Sequence, residues 1–376
     1  MAASFVAEVD APGARVSVRA CAVEPSPPVF LFPSAGEYPL YDDFAHGEMI
    51  KDEMRMALYT AAVRRYAPGK TVLDIGTGQD AVWALEAAHA GARHVWALEV
   101  IPRSAHLARA AVERAGLADR VTVIEGLSTG VELPEPVDFC VSEIIGTLGG
   151  SEGAGAVLRD ARERLVRPGG VFAPHRSATT AVALDLDRAN GGEPVGFPSF
   201  TLTYVQQIFT AIGRPFDLRV CLVGLQDNPP LRDQAYLSTV AEVEPLEFNG
   251  DLRPEGTDHG ELAFTRTGRF HGLALGMRLW VAEGDDTLID SLIQPSNWMP
   301  VFAPLSDAGP PVRRGDRFEF DLTTTISDDG VHPDYALDGR LHRDVDPPVP
   351  LRWRSAHHDE GFRGTPFYRS LFPTAR

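Results

Sequence analysis

The chain has 376 residues, and at roughly 150 residues per domain this length predicts two or three domains. Hydrophobic residues make up 44% and charged residues 23% of the sequence, a balance typical of a globular chain that buries a sizeable core. The 35 basic and 52 acidic residues leave a net charge of −17. Such a surface repels phosphate and attracts cations, so we expect no nucleic-acid partner and favour a cationic substrate.

The three cysteines, at positions 21, 140 and 221, contain no C-x-x-C pair. This pattern argues against a disulfide framework or a metal site and favours a reducing cytoplasm. No apolar run approaches 18 residues and no signal-peptide core opens the chain, so we expect a soluble cytoplasmic protein that does not enter a membrane. The only lysines are Lys51 and Lys70, and this bias toward arginine, with abundant Ala, Gly and Pro, is typical of a GC-rich bacterial gene.

The first part of the chain predicts an N-terminal lead-in and then an α/β domain. Residues 1–37 are rich in Pro and Ala and have no clear period, whereas 38–66 have helical spacing. Further strands and helices then alternate: strands at 71–75, 94–99, 120–125, 137–142 and 171–173, and helices at 81–90, 104–115 and 154–166. Alternation of this kind predicts a parallel, doubly wound sheet, and we assign 38–175 to a Rossmann-like domain.

The second half has a different texture. Short β-rich runs separated by Gly-, Pro- and Asp-rich turns predict a β-barrel-like domain over 176–345. A helix-like stretch with a Pro-rich exit interrupts it at 196–232, which we interpret as an inserted arm. Residues 346–376 form a Pro-rich, aromatic C-terminal tail. The predicted fold class is therefore α/β followed by β.

A glycine turn follows the first predicted strand of the sheet. Asp74 closes the strand, and Gly76 and Gly78 let the backbone turn sharply and approach a ligand closely. Glu99 closes the next strand, where a carboxylate can accept both hydroxyls of a ribose. The pattern favours a nucleotide-like cofactor. An NAD-dependent oxidoreductase, or a Rossmann-like domain in which Glu99 only caps its strand, stays open as an alternative.

An acidic, glycine-rich loop follows the fourth strand, where the ligand chemistry of open α/β sheets is concentrated. Glu143 and Glu152 are nine positions apart, and three of the residues between them are glycines. The loop can therefore fold back and bring the two carboxylates together. Converging carboxylates repel each other unless a cation lies between them. A guanidinium fits such a gap because it is permanently charged and binds carboxylates in a bidentate way. The spacing alone fits a solvated acidic loop equally well.

Four segments carry a resemblance to known enzymes. The strand and turn at 72–81 resemble the first motif of class I S-adenosylmethionine-dependent methyltransferases, with Asp80 in place of the third glycine. The segment 142–152 is similar to the double-E loop of the arginine N-methyltransferase family, and 44–55 resembles the helix that precedes that family's cofactor domain. The segment 296–304 is similar to the family's Thr-His-Trp loop, and closer to the Ser-Trp-Phe-Pro version of its symmetric-dimethylating branch.

The resemblance implies an enzyme that uses S-adenosyl-L-methionine and no metal to methylate a guanidino nitrogen. It assigns cofactor binding to seven residues: Arg55, Asp74, Gly76, Gly78, Glu99, Ser128 and Thr129. In particular, Arg55 would pair with the methionyl carboxylate and Glu99 with the ribose. The same resemblance assigns the substrate guanidinium to four residues, of which the two acids are also the expected catalytic groups: Glu143, Glu152, Asn297 and Trp298.

Several positions depart from the family pattern. Asn297 stands where the family often has a histidine paired with the acid at Asp52, so we expect no proton-relay dyad. Thr129 stands where the family has a glutamate near the adenine amine, so adenine recognition should differ. The residues that follow Glu143 differ as well, which leaves the number of methyl groups transferred open.

The resemblance also implies a substrate and a partner. The chain is similar to family members that methylate free L-arginine in streptozotocin-type nitrosourea biosynthesis. We therefore expect N-omega-methyl-L-arginine as the product and a role in bacterial natural-product biosynthesis. A protein arginine N-methyltransferase acting on an arginine-containing peptide is the alternative, and an inactive methyltransferase-fold scaffold is a weaker one. The arm at 196–232 matches the family's dimerisation arm, so we expect a homodimer.

Overall fold

The computed structural model of the protein describes residues 4–11, 14–23, 29–34, 47, 49–191, 197–202, 205–206, 219–344, 346–355, 366 and 369. Within these ranges, no helix combines the length and apolar character that a membrane crossing requires. The predicted arm and the helical segment before residue 55 are only partly covered, because 203–204, 207–218, 35–46 and 48 lie outside the described residues.

Three strands occupy the N-terminal region: β1 (Ser4–Ala11), β2 (Ala14–Val23) and β3 (Phe30–Ser34). The first two pair as an antiparallel hairpin, and β3 pairs with Arg219–Val223, almost 190 residues further along the chain. The N-terminal lead-in thus contains strands that the absence of a clear period in its sequence did not predict. The partner of β3 is remote in sequence, so the local pattern carries little trace of the pairing.

A five-stranded parallel sheet forms the centre of the first half. Its strands are β4 (Thr71–Ile75), β5 (His94–Glu99), β6 (Val121–Glu125), β7 (Val137–Ser142) and β8 (Val166–Ala173). They lie in the order β6-β5-β4-β7-β8. Successive strands are thus added on one side of β4 up to β6 and on its other side from β7 onward. Every residue of the central strand β4 is buried, including Asp74 between the apolar Leu73 and Ile75. The order places the carboxyl ends of β4, β5 and β7 side by side.

Four helices accompany this sheet: α1 (Glu53–Tyr66), α2 (Val82–His89), α3 (Pro102–Arg114) and α4 (Ala154–Arg164). The side chain of Asp52 caps α1 by accepting the amide of Arg55 at 3.0 Å. The helix α3 begins with a proline, which lacks the amide hydrogen that the first turn cannot satisfy. Gly153, with a φ of 86°, precedes α4 and so ends the acidic loop.

In the second half, the elements whose bounds the structure describes are mostly antiparallel strands, with two short α-helices among them. Its elements are β9 (Arg176–Leu184), α5 (Leu186–Ala189), β10 (Phe197–Pro198), β11 (Arg219–Val223), α6 (Pro229–Ala235), β12 (Ala241–Glu247), β13 (Gly256–Ala263), β14 (Gly268–Arg269), β15 (Gly272–Trp280), β16 (Ile289–Asp290), β17 (Val301–Pro304), β18 (Pro311–Val312), β19 (Arg317–Ile326), β20 (Pro333–Arg343) and β21 (Asp346–Ser355).

One seven-stranded sheet runs in the order β12-β9-β15-β17-β11-β3, with β16 beside β15, and a four-stranded sheet runs in the order β13-β19-β20-β21. The strand β21 thus belongs to the second sheet, where the sequence predicted the start of a separate tail. Its Pro-rich sequence fits an edge position, because an edge strand does not need all of its amide hydrogens for pairing. The described parts of the arm supply β10, which pairs with β2, and β11.

An apolar core cluster extends across both halves of the chain. It contains the strands of the parallel sheet and residues of the second half, among them Leu246, Phe248, Met277 and Leu279. A separate cluster fills the space between the antiparallel sheets, where Phe264, Phe270 and Phe318 meet edge to face. The two halves therefore share apolar contacts at the side of the acidic loop.

Candidate active site

The glycine turn after β4 has the geometry of a ligand-binding loop. Gly76 and Gly78 have φ angles of 76° and 66°, which a residue with a side chain rarely adopts. The amide of Gly78 donates to Glu99 Oε2, and the amide of Ile101 donates to Glu99 Oε1, both at 2.9 Å. Glu99 thus joins the ends of β4 and β5, and the two predicted halves of the cofactor site lie together.

Asp74 is completely buried beneath this turn. Its Oδ2 accepts the hydroxyl of Thr77 at 2.6 Å, whereas its Oδ1 has no hydrogen-bond partner among the described residues. The pKa of Asp74 is raised to about 7, mainly because the group is buried. The charge of Glu99 also raises this pKa, whereas the hydrogen bonds from Thr77 and the Ala84 amide lower it. A buried carboxylate with one unused oxygen is suited to receive a donor from a ligand.

Ser128 and Thr129 form a short 3-10 turn after β6. The carbonyl of Ser128 accepts the guanidinium of Arg164 at 2.9 Å, and Ser128 is buried while Thr129 is exposed. The turn therefore lies beyond the third strand of the same sheet edge, next to the end of β5. Thr129 offers a hydroxyl, and no carboxylate, at this position.

The acidic loop, defined here as the double-E loop (142–152), folds back on itself. Gly146 lies so close to Ser151 and Glu152 that an added Cβ would overlap the Ser151 hydroxyl. The amide of Ser151 also donates to the carbonyl of Leu148 at 3.0 Å. The turn between the two glutamates is therefore compact, and its second glutamate packs against the middle of the loop.

Arg55 and Glu143 form a buried ion pair at the start of this loop. The guanidinium of Arg55 also lies over the ring of Trp298, 4.5 Å from its centroid, and approaches the sulfur of Met49 at 3.4 Å. A carboxylate and an indole face thus surround one guanidinium, and desolvation strengthens both contacts. The structure brings together predicted residues from the helix, the loop and the Trp298 segment.

The Trp298 segment is fixed by hydrogen bonds to three other parts of the chain. The Nε1 of Trp298 donates to the carbonyl of Ile145 at 2.6 Å, inside the double-E loop. The Nε2 of the buried Gln226 donates to the carbonyl of Trp298 at 3.0 Å. The amide of Asn297 donates to Asp52 Oδ2 at 3.4 Å. With no histidine here, Asp52 accepts a backbone amide from this segment.

The cofactor turn and the double-E loop also touch each other. An added Cβ at Gly76 would lie 2.7 Å from Ile144 Cγ2, so Ile144 covers the glycine closely. The hydroxyl of Ser142 donates to the carbonyl of Ile75 at 2.9 Å, and that of Tyr59 donates to the carbonyl of Ser142 at 3.4 Å. The cofactor turn and the double-E loop are therefore in direct contact at the carboxyl edge of the sheet. Sequence reasoning did not find Gln226 or Tyr59, since neither lies in a recognisable motif.

Comparison with known proteins places this arrangement. No family model matches the chain. Protein arginine methyltransferase 10 of Arabidopsis thaliana has a TM-score of 0.64 at 22% identity, over 84% of this chain and 98% of that one. The Trypanosoma brucei PRMT1 enzyme-prozyme heterotetrameric complex with AdoHcy has a TM-score of 0.62 at 20% identity, over 82% of this chain and 97% of that one.

Sequence comparison finds relatives with the same chemistry in their names. An arginine N(omega)-methyltransferase of Streptomyces achromogenes subsp. streptozoticus is 34% identical over 286 residues, which are 72% of this chain and 73% of that protein. A probable histone-arginine methyltransferase, CARM1, of Oryza sativa subsp. indica is 38% identical over 138 residues, 36% of this chain and 26% of that protein.

The fold and site define a class I methyltransferase with an appended antiparallel β domain, and the structural likeness confirms the predicted fold class. The Streptomyces relative, aligned over more than two thirds of both proteins, carries the identification further. The chain belongs to the arginine N-methyltransferase family, whose members transfer a methyl group from S-adenosylmethionine to a guanidino nitrogen. The predicted family and enzyme class are confirmed.

Proposed function

We propose that the protein methylates the guanidino group of free L-arginine to give N-omega-methyl-L-arginine, which bacterial natural-product biosynthesis would consume. The observation that carries the proposal is the buried Arg55–Glu143 pair beneath Trp298. It supports a site in which a carboxylate and an indole face hold a planar cation. The Streptomyces relative supports free arginine as the substrate, because its alignment spans 286 residues against 138 for the histone-arginine enzyme.

The residues around the glycine turn fit S-adenosyl-L-methionine. In the part of the chain that the structure describes, Asp74 Oδ1 lacks a hydrogen-bond partner. Gly76 leaves no space for a side chain beside Ile144, and Glu99 lies at the end of β5. We assign cofactor binding to Asp74, Gly76, Gly78 and Glu99, with Ser128 and Thr129 beside the adenine. Arg55 would hold the methionyl carboxylate, an exchange of partners that would release Glu143 for the substrate.

When bound, the cofactor supplies an electrophilic methyl group on a sulfonium centre. A guanidinium is a poor nucleophile because its lone pairs are delocalised. Glu143 and Glu152 would draw the positive charge toward the nitrogens they contact and direct the remaining nitrogen at the methyl carbon. One of the two carboxylates would take the proton that this nitrogen gives up when it receives the methyl group that the cofactor would supply. Asn297 and Trp298 would line the pocket.

The test replaces each acid by its amide, which removes charge with little change of shape. We expect Glu143→Gln and Glu152→Gln each to lower kcat/KM for L-arginine about a hundredfold or more while S-adenosylhomocysteine still binds. Glu163→Gln is the matched control, because Glu163 pairs with Arg159 on the exposed face of α4. Wild-type activity in either loop variant would contradict the proposed site. Circular dichroism checks folding, since Glu143 neutralises a buried arginine.

The substrate is tested by supplying labelled cofactor with free L-arginine or with an Arg-rich peptide, followed by mass analysis of the product. We expect methylated free arginine. Methylation of the peptide alone would make the protein a protein arginine N-methyltransferase, the second candidate. Calorimetric titration with S-adenosylhomocysteine distinguishes both from an inactive scaffold, which would not bind it.

We also propose a homodimer. Phe200, in the described part of the arm, is 64% exposed and meets Phe30 edge to face at 5.3 Å, which leaves an aromatic surface for a partner. The Trypanosoma relative assembles as a heterotetramer, which supports an oligomer. Light scattering should give twice the 40.8 kDa mass of one chain. A single-chain mass would contradict the dimer.

A further inference from the structure

Glu244 is a buried carboxylate of the antiparallel half for which the chemistry above has no use. It lies on β12, is 4% exposed, and has a φ of 49°. Residues with a side chain rarely adopt this left-handed conformation. The pairing of β12 with β9 also shifts between Val243 and Leu246, so Glu244 occupies a β-bulge. Bulges re-aim side chains, and such strain persists where surrounding contacts enforce it.

The bulge directs the carboxylate of Glu244 at the apex of the double-E loop. Its Oε1 accepts the hydroxyl of Tyr335 at 2.8 Å, and the amide of Gly150 hydrogen-bonds to the same carboxylate. Its Oε2 accepts the hydroxyl of Thr179, whose own oxygen accepts the amide of Gly149 at 3.0 Å. Two consecutive loop amides are thus held by one carboxylate, one directly and one through a hydroxyl.

The fit between Glu244 and the loop is close. A Cβ added to Gly150 would overlap Oε1 of Glu244, so the loop backbone lies directly against the carboxylate. Asp258 accepts the backbone amide of Glu244 at 3.1 Å and so supports the bulge. Burial raises the pKa of Glu244 to about 7, and the hydrogen bonds from the loop and from Tyr335, with the charge of Arg219, lower it in part.

We propose that Glu244 is a positioning residue for methyl transfer, which holds the 149–150 apex of the double-E loop so that Glu152 meets the substrate guanidinium. The proposal rests on the proposed function. The first end of the loop is fixed by β7, which leads directly into Glu143. The second end leads through Gly153 into α4, and Glu152 follows the held apex by two residues. Release of the apex would therefore move Glu152 relative to Glu143.

The kinetic test compares Glu244→Ala with Glu244→Gln. The alanine variant leaves the Gly150 amide buried without a partner, whereas glutamine keeps one oxygen for Gly150 and turns its NH₂ toward Thr179. We expect the alanine variant to lower kcat/KM for L-arginine about tenfold to a hundredfold, with S-adenosylhomocysteine affinity within about twofold of wild type. The glutamine variant should recover most of the activity. Asp316→Ala, at a buried carboxylate remote from the loop, is the control for stability alone.

A double variant shows whether Glu244 acts through Glu152. We expect Glu244→Ala to cause little further loss in a protein that already carries Glu152→Gln, because the acid to be positioned is gone. An equal loss in both backgrounds, or a parallel fall in cofactor affinity, would overturn the proposal. If Glu244→Ala does not fold, Thr179→Val cuts the Gly149 link alone and enters the same comparison.

Amide hydrogen exchange gives a reading that does not depend on activity. Exchange at Gly149 and Gly150 should be faster in Glu244→Ala than in wild type and close to wild type in Glu244→Gln. Unchanged exchange in the alanine variant would overturn the proposal even if the enzyme is active. A wild-type protein that methylates no arginine, yet shows the exchange pattern, would instead refute the proposed function and leave the loop contact established.

Discussion

The carboxylate of Asp52 accepts the backbone amide of Asn297 at 3.4 Å, across 245 residues of chain. The other oxygen of the same carboxylate caps α1 by accepting the amide of Arg55 at 3.0 Å. One side chain therefore fixes both the helix that carries Arg55 and the segment that carries Trp298. The position of Asp52 therefore affects the contact between the Arg55 guanidinium and the ring of Trp298 from both sides.

Asp52→Asn should separate these two roles. Asparagine caps helices as well as aspartate, so the free energy of unfolding should change by less than about 1 kcal/mol. Its NH₂ group, however, faces the Asn297 amide, donor against donor, and we expect kcat/KM for L-arginine to fall about tenfold. Asp185→Asn is the matched control, since Asp185 caps α5 and accepts the amide of Arg269 at 3.0 Å. Equal activity losses in both variants would contradict the role of Asp52.

The raised pKa of Asp74 predicts a pH-dependent stability. The folded state holds a proton on Asp74 up to about pH 7, whereas the unfolded chain loses it near pH 4. The stabilisation of the folded state by the protonated Asp74 is therefore fully present below about pH 4, and it is lost as the pH rises through about 7. Its size is on the order of a few kcal/mol for so deeply buried a group.

Asp74→Asn should remove this dependence, because an amide does not titrate. We expect the Tm of the cofactor-free wild type to fall more steeply between pH 5 and pH 8 than that of the variant. Glu244, whose pKa is also raised to about 7, contributes equally to both proteins and cancels in the comparison. Parallel Tm curves would show that Asp74 is ionised throughout this range.

The contact between Gly76 and Ile144 predicts a steric effect on the cofactor turn. Gly76→Ala combines a φ of 76° with a Cβ only 2.7 Å from Ile144 Cγ2. Gly69→Ala is the matched control, since Gly69 has a φ of 72° and open space around its Cα. Both variants should lose about 1–2 kcal/mol for the backbone conformation. Only the Gly76 variant should also bind S-adenosylhomocysteine more weakly, as measured by calorimetry.

A second substitution tests that contact. Ile144→Ala in the Gly76→Ala background removes the Cγ2 methyl group that a Cβ at residue 76 would meet, and it should restore part of the affinity. Weaker binding in Gly69→Ala of the same size would contradict the steric explanation, because that residue has no neighbour for a Cβ to meet.

Trp298→Phe should show what the indole nitrogen contributes. Phenylalanine keeps an aromatic face under Arg55 but leaves the buried carbonyl of Ile145 without its donor. An unpaired buried carbonyl costs about 1–3 kcal/mol, and the double-E loop should loosen where it is unpaired. We expect both a lower Tm and a lower kcat/KM for L-arginine. Trp353→Phe, at a tryptophan buried in the second half, should lower only the Tm.

The parallel sheet could be predicted from the sequence because its signals are local. The strands at 71–75, 94–99 and 137–142 have the predicted bounds, since each is a short buried run followed by a turn or a break. The strands β3 and β21 could not be found in this way. The first pairs with a distant segment, and the second carries prolines that the sheet accepts only because it lies at the edge.

The same contrast applies to the site. Asp74, Glu99 and Glu143 lie at or just beyond the carboxyl ends of neighbouring parallel strands, so topology alone places them near one another. Glu244 and Thr179 belong to neighbouring antiparallel strands, and their approach to the loop depends on a bulge and on the docking of two sheets. A lone glutamate within a β-rich run gives no sign of such a contact.

The apolar cluster that Leu246, Phe248, Met277 and Leu279 share with the parallel sheet also affects how the molecule comes apart. Cutting the chain between β8 and β9 would expose apolar surface on each fragment, so we expect neither fragment to fold on its own. Heating should consequently unfold the Rossmann-like half and the antiparallel half in one cooperative step. Binding of the cofactor and binding of the guanidino substrate would then be lost at the same temperature.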